Sequence, residues 1–205
     1  MSGSCPLTLD QIDAMLDSME SARDRAALLL SCGCGLRAGT LSRLRLSAVL
    51  NVHHELTGYL EIPRRAMKGK RQAHRLPIPP RALRALGEWI AAHPAPHRAA
   101  PIFPSTKRPT EGICPRQWQR VVSRAAAAAG AAGRVTPHSA RKFFAHAVYE
   151  GTARDVQLTT RALGNRSPMA TMHYLDFGGQ RIAAATLDIF NRRAQREIEE
   201  VTTEN

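Results

Sequence analysis

The sequence predicts a mainly α-helical domain carrying one small antiparallel β-sheet, and three observations lead there. Helix-start signals recur: Thr8, Thr136-Pro137 and Ser167-Pro168 each place a hydroxyl cap before a run of helical period, twice with proline in the first turn. Apolar residues repeat at helical spacing through most of the chain. Only residues 56–62 and 75–78 read as strands, and the basic segment between them contains Gly69, as a hairpin tip would.

Taken in order, Thr8 caps a first helix whose apolar face is Ile12, Met15 and Leu16. A second spans residues 21–31 and stops at Gly33 and Gly35. Residues 40–46 continue in helical period through Leu41, Leu44 and Leu46. The hairpin follows, then a helix over 81–92 and a Pro- and Ala-rich loop over 93–101. The alanine-rich stretch 115–129 is a strong helix former. Thr136-Pro137 starts a helix reaching to 150, and a short one ends at Gly164. Ser167-Pro168 starts another short helix, expected to carry Tyr174. A last amphipathic helix is expected over 180–199. With no internal repeat and no composition shift, residues 1–205 read as a single domain.

The formal charge is +12, which calls for a polyanionic partner, nucleic acid first among them. That charge is concentrated. Residues 62–87 contain no acid but include Arg64, Arg65, Lys68, Lys70, Arg71, Arg75, Arg81 and Arg84. Residues 112–149 are also acid-free, with Arg116, Arg120, Arg124, Arg134, Arg141 and Lys142. Two such blocks can line one DNA-facing surface. The four cysteines, Cys5, Cys32, Cys34 and Cys114, lack zinc-ligand spacing and read as core thiols of a reducing cytosol. Neither a signal peptide nor an apolar run long enough to span a bilayer is evident, so a cytoplasmic protein without membrane contact is expected. No metal and no cofactor is expected. Trp89 and Trp118 sit among apolar neighbours and read as core rather than as base-stacking platforms.

The chemistry-bearing features lie further along. His138 and Arg141, three apart at a helix start, share one face beside free backbone N–H groups that suit a phosphate. Arg37 follows a glycine break at Gly35. Lysine is rare, four against twenty-five arginines, and two of the four sit in the hairpin. Arginine serves a phosphate clamp, whereas lysine can surrender a proton.

Arg37, a hairpin lysine, His138-x-x-Arg141, Leu163-Gly164 and Tyr174 occur in an order and spacing that resembles the catalytic domain of the tyrosine recombinases, or integrases. The resemblance runs from about residue 7 to about residue 190 and implies that domain's fold. It implies that Tyr174 attacks a DNA phosphodiester to form a 3′-phosphotyrosyl bond. Arg37 and Arg141 would clamp the non-bridging oxygens, His138 would assist as donor or base, and Lys68 would protonate the 5′-oxygen, with Lys70 as the alternative. Double-stranded DNA and a dimer or tetramer of the chain are the implied partners. Arg64, Arg65, Lys70, Arg71, Arg116, Arg120, Lys142 and Arg166 are the candidate DNA contacts. Two positions depart from the family pattern: Asn165 stands where His or Trp is usual, and Thr40 where an acid is usual. The Asn165 amide can donate a hydrogen bond to a phosphate but carries no proton or charge to it. The N-terminal DNA-binding domain of most relatives is absent from these residues, so the resemblance implies either an excised catalytic domain or a short recombinase similar in size to the fimbrial-switch invertases. Two alternative readings share the pattern: a catalytically weakened DNA-binding protein of this fold, and a type IB topoisomerase-like strand transferase.

Overall fold

The computed structural model describes residues 4–66 and 73–175, with the backbone alone at 65. By its internal contacts the chain divides into Met1–Tyr174 and Leu175–Asn205. The expected helix over 180–199 lies outside the described residues, and the first unit is the one described below.

Eight helices and two strands are described: α1 (Leu9–Asp17), α2 (Ala22–Cys34), α3 (Ala38–Leu41), β1 (Tyr59–Ile62), β2 (His74–Pro77), α4 (Pro80–Ala91), α5 (Pro115–Ala128), α6 (Pro137–Gly151), α7 (Val156–Ala162) and α8 (Pro168–Met172). The expected class, mainly α with one small antiparallel sheet, is the class observed. Thr8 caps α1 through a reciprocal pair with Gln11, and Ile12, Met15 and Leu16 form its buried face. α2 is the central helix, packed against α4 on one side and α6 on another. It is buried on most sides, and at Gly33 an added Cβ would lie 2.9 Å from the Pro79 ring. Burial pushes the thiols of Cys32 and Cys34 up to about 12, which leaves them unreactive. Cys5 and Cys114 are exposed instead of being core thiols, Cys114 serving as the cap of α5. Trp118 is buried in the core, and Trp89 donates to the Ile102 carbonyl at 2.7 Å, as core residues rather than exposed platforms.

Gly35 ends α2 in the left-handed region, φ 59°, and the Phe144 ring of α6 covers the place where a Cβ would stand. Gly35→Ala therefore meets both a backbone penalty and a ring that must move. We expect a loss of about 2–4 kcal/mol, read as a fall in Tm of about 5–15 °C. An unchanged Tm would show that the α2–α6 contact is looser than described.

Local propensity yields to tertiary pairing in two places. Residues 40–46 do not form one helix: α3 ends at Leu41 and a single 3-10 turn follows at Leu46–Ala48. Between them Arg45 is extended and pairs with Pro101, Leu46 N–H donates to Ala100, and Ile102 N–H donates to Leu44. Leu44 and Leu46 remain fully buried, so the apolar pattern serves a backbone bridge instead of a helix face. The first strand begins at Tyr59 rather than 56, because Gly58 turns with φ 73° and the Thr57 hydroxyl takes the Tyr59 N–H. Its register sets Leu60 against Leu76 and Ile62 against His74, with Leu60, Ile62 and Leu76 facing the core. On the outer face Arg75 lies 3.9 Å over the Tyr59 ring and pairs loosely with Glu61.

Candidate active site

The site is built on the first turn of α6. Thr136 and Ser139 cap it reciprocally: the Thr136 hydroxyl accepts from His138 N–H at 3.2 Å, and Thr136 N–H donates to the Ser139 hydroxyl at 3.1 Å. This turn leaves His138 exposed and sends Arg141 inward, where only 3% of its surface remains accessible.

Arg141 reaches three acceptors. Its guanidinium donates to the Gly35 carbonyl at the end of α2, to the Leu163 carbonyl at 2.9 Å and to Asn165 Oδ1 at 2.9 Å. Its Nε has no protein acceptor. Arg37, half-buried at the N-cap of α3, donates to the same Asn165 oxygen at 2.6 Å. One amide oxygen thus holds both arginines. Tyr174 completes the cluster, with the Arg141 guanidinium carbon 4.9 Å from its ring centroid and the His138 ring centroid at 6.3 Å. Tyr174 is not on a helix as expected. α8 ends at Met172, and Tyr174 lies in the turn that follows, its N–H on the Thr171 carbonyl. His173 is exposed.

Among the described residues no carboxylate pairs with Arg37 or Arg141. The consequence is visible in their electrostatics. Burial, then repulsion by Arg37, pulls Arg141 down to about 10, while Tyr174 pulls the other way through charge and a side-chain hydrogen bond. Arg141 is still a cation at neutral pH. His138 is held below its ordinary value, first by partial desolvation of the ring and then by Arg141, Arg37 and Lys142. The residue as a whole is exposed, so the desolvation is confined to the part facing the arginines.

His138 is therefore neutral at pH 7 in the free protein. Below about pH 6.5 the unfolded chain takes up a proton at this position. The folded protein refuses it until its own lower value is reached, so His138 contributes a loss of stability as pH falls through that window. We expect His138→Gln to flatten the pH dependence of Tm just below pH 6.5. An identical profile in wild type and variant would contradict this electrostatic picture.

The other predicted residues distribute as follows. Lys68, Lys70 and Arg71, and the side chain of Arg65, lie outside the described residues. Both described ends of the hairpin segment are tied to other parts of the domain, and the His74 end reaches the residue before Leu163. Arg43 donates to the Ala66 carbonyl, with its nearer nitrogen at 3.1 Å, and His74 Nε2 lies 2.9 Å from the Ala162 carbonyl at the end of α7. Arg64 is exposed at the foot of β1. Arg116 and Arg120 are exposed one turn apart on α5, with Arg124 a further turn on. Lys142 is half-buried beside Arg141, and Arg166 is exposed beside Asn165. Thr40, at the usually acidic position, is buried behind Arg37 in α3. No group of three metal-ligating side chains, and no helix long and apolar enough to cross a membrane, occurs among the described residues.

Sequence reasoning missed four participants. The Gly35 and Leu163 carbonyls are backbone atoms and leave no residue signature. Thr171 and Thr160 stand behind Asn165: its Nδ2 donates to Thr171 Oγ1 at 3.1 Å, and the two threonine hydroxyl oxygens are 2.9 Å apart. The available signal was a threonine three residues before Tyr174, on the inner side of a short helix.

The model of the phage integrase family matches residues 6–180. This chain belongs to the phage integrase family, the tyrosine recombinases. Solved members share its fold at low identity. XerA recombinase superposes with a TM-score of 0.73 at 18% identity, over 92% of this chain and 65% of that one. The Tn1549 transposon integrase, solved with transposon right end DNA, gives 0.67 at 14% identity over 92% and 66%. A lambda integrase dimer bound to a COC′ core site gives 0.64 at 21% identity over 87% and 62%. The integrase chain described here thus spans just under two thirds of the length of each of these structures. No curated protein matches its sequence.

Proposed function

We propose that this integrase-family chain is the catalytic module of a site-specific DNA recombinase that breaks and rejoins one strand through a 3′-phosphotyrosyl link. The observation that carries the reading is the pair of guanidiniums held on Asn165 Oδ1, without a carboxylate partner, beside Tyr174. Two cations that repel each other across a neutral amide form a site that lacks an anion, and a phosphodiester supplies one.

In this reading Tyr174 Oη attacks the scissile phosphorus, the bond to the 5′-oxygen breaks, and the proton needed by that oxygen comes from Lys68, with Lys70 as the alternative. Arg37 and Arg141 meet the non-bridging oxygens, where negative charge grows in the transition state. His138 is neutral in the free protein and so can accept a hydrogen bond or a proton from Tyr174. An arriving phosphate offsets the two arginines, which raises the basicity of His138 when the base is needed. The phosphodiester's free energy is retained in the phosphotyrosyl bond, so religation needs no nucleotide hydrolysis. The basic face of α5 with Arg116 and Arg120, together with Arg64, Arg65, Lys70, Arg71, Lys142 and Arg166, would hold the duplex backbone. Strand exchange requires at least two DNA-bound copies, in the cytoplasm with the DNA they act on.

The test uses a pool of nicked duplexes of randomised sequence. We expect a covalent protein–DNA adduct on a denaturing gel. A protein that binds members of the pool and links to none would instead be the DNA-binding module. Relaxation of supercoiled plasmids irrespective of sequence would favour the topoisomerase-like reading.

A further inference from the structure

Asn165 holds the two arginines, and its own orientation has to be set by something. Guanidinium groups only donate, so the face of the amide toward Arg37 and Arg141 must be the oxygen. Nδ2 then points to Thr171, whose Oγ1 accepts at 3.1 Å. The Thr160 hydroxyl lies 2.6 Å from the Val156 carbonyl, which only accepts, so the Thr160 proton is spent there. The 2.9 Å contact between the threonine hydroxyls must therefore carry the Thr171 proton. The direction of every bond follows: Asn165 Nδ2–H to Thr171, Thr171 O–H to Thr160, Thr160 O–H to the Val156 carbonyl. Thr171 is fully buried and Thr160 nearly so, which leaves no water to substitute for either hydroxyl. Asn165 N–H also donates to the Thr160 carbonyl at 2.9 Å, tying the two ends of this chain directly.

We infer that Thr171 and Thr160 are positioning residues: their one-way hydroxyl chain locks the Asn165 amide so that its oxygen clasps Arg37 and Arg141 together. An indole has no acceptor to offer two guanidiniums, and a neutral imidazole has one nitrogen lone pair, directed along a single line. An amide oxygen has two lone pairs and takes both arginines, but only if the group cannot flip. A flipped amide would set its NH₂ against two cations. Asn165 is thus a clasp fixed from behind, in place of a ring that meets the phosphate from the front.

The effect on strand cleavage rests on the proposed recombinase function, so the test has two arms. In the first, Thr171→Val keeps the shape and removes the hydroxyl, while Thr171→Ser restores it. Thr171→Val should slow adduct formation by about 10–100-fold, the scale expected when supporting contacts of a reactive group are lost. Thr171→Ser should recover most of that rate. In an Asn165→Ala background Thr171→Val should add nothing. Equal rates for Thr171→Val and wild type, no recovery in Thr171→Ser, or full additivity with Asn165→Ala would each overturn the inference. The second arm needs no DNA. The ¹⁵N-labelled guanidinium Nη signals of Arg37, whose guanidinium is held by Asn165, should be separate in wild type and Thr171→Ser, because rotation is held, and merged in Thr171→Val; those of Arg141, held also by the Gly35 and Leu163 carbonyls, should stay separate in all three. Merged signals in wild type would overturn the clasp by themselves. Absence of any adduct with wild type, beside the expected spectra, would defeat the recombinase reading and leave the clasp standing.

Discussion

Tyr174→Phe is expected to abolish adduct formation while the protein stays folded and still binds DNA. The hydroxyl is the only group removed. Its favourable influence on the Arg141 charge is on the scale of a single polar contact, about 0.5–1.5 kcal/mol of stability, so Tm should shift by a few degrees at most on the general scaling for a domain of this size. The ring stays, and its packing over the Arg141 guanidinium needs only the π face. The chemical loss is of another order. Among the described residues no neighbouring hydroxyl or thiol replaces the nucleophile within the arginine cluster, because Thr171 is fully buried with its hydroxyl engaged by Asn165 and Thr160. The measurement pairs a denaturing gel with a native binding titration. Retained adduct in Tyr174→Phe would move the nucleophile elsewhere, and lost binding would mean the substitution had disturbed the fold.

Arg141→Met separates stability from function more sharply. Removing the guanidinium leaves the Gly35 and Leu163 carbonyls without a donor, at about 1–3 kcal/mol each. Against this, a buried cation has been removed from beside another cation, and replacing buried charge by an apolar chain of similar length often stabilises by about 1–4 kcal/mol. The pull on Arg141 from its ordinary value down to about 10 shows that burial and Arg37 do oppose its charge. The two contributions largely offset, so the variant should stay folded with a net change below about 3 kcal/mol. Cleavage should fall by at least about 10²–10³, the scale for losing one preorganised electrostatic contact. Single-turnover adduct rates beside thermal melts would check this. A variant that unfolds yet cleaves normally while folded would make Arg141 a structural residue instead.

What the sequence made legible follows from where the information lies. N-caps are local, and Thr8, Thr136 and Ser167 each cap the helix they announce. The Gly35 break is local too, since only a left-handed residue ends α2 there. Residues 40–46 misled because Arg45 pairs with Pro101, more than fifty positions away, and helical period cannot see that partner. Tyr174 was expected on a helix because Ser167-Pro168 marks a start, but α8 stops after five residues. In the site, the resemblance to tyrosine recombinases picked out Arg37, His138, Arg141, Asn165 and Tyr174, and the fold brings these five together. What Asn165 does there was not legible. Spacing allowed an amide that donates to a phosphate, whereas its oxygen faces two arginines and its nitrogen faces Thr171. Such a role depends on which way a planar group points, and that is decided by partners on three different elements.

The most direct test of the central proposal is to find the atom that holds the DNA. Adducts from the nicked-duplex pool, trimmed by nuclease and protease, leave a short nucleotide on one peptide. Mass spectrometry should place it on Tyr174, as a 3′-linked phosphate ester with the 5′-hydroxyl end released. A nucleotide on any other residue, or no nucleotide from duplexes that the protein demonstrably binds, would contradict the account.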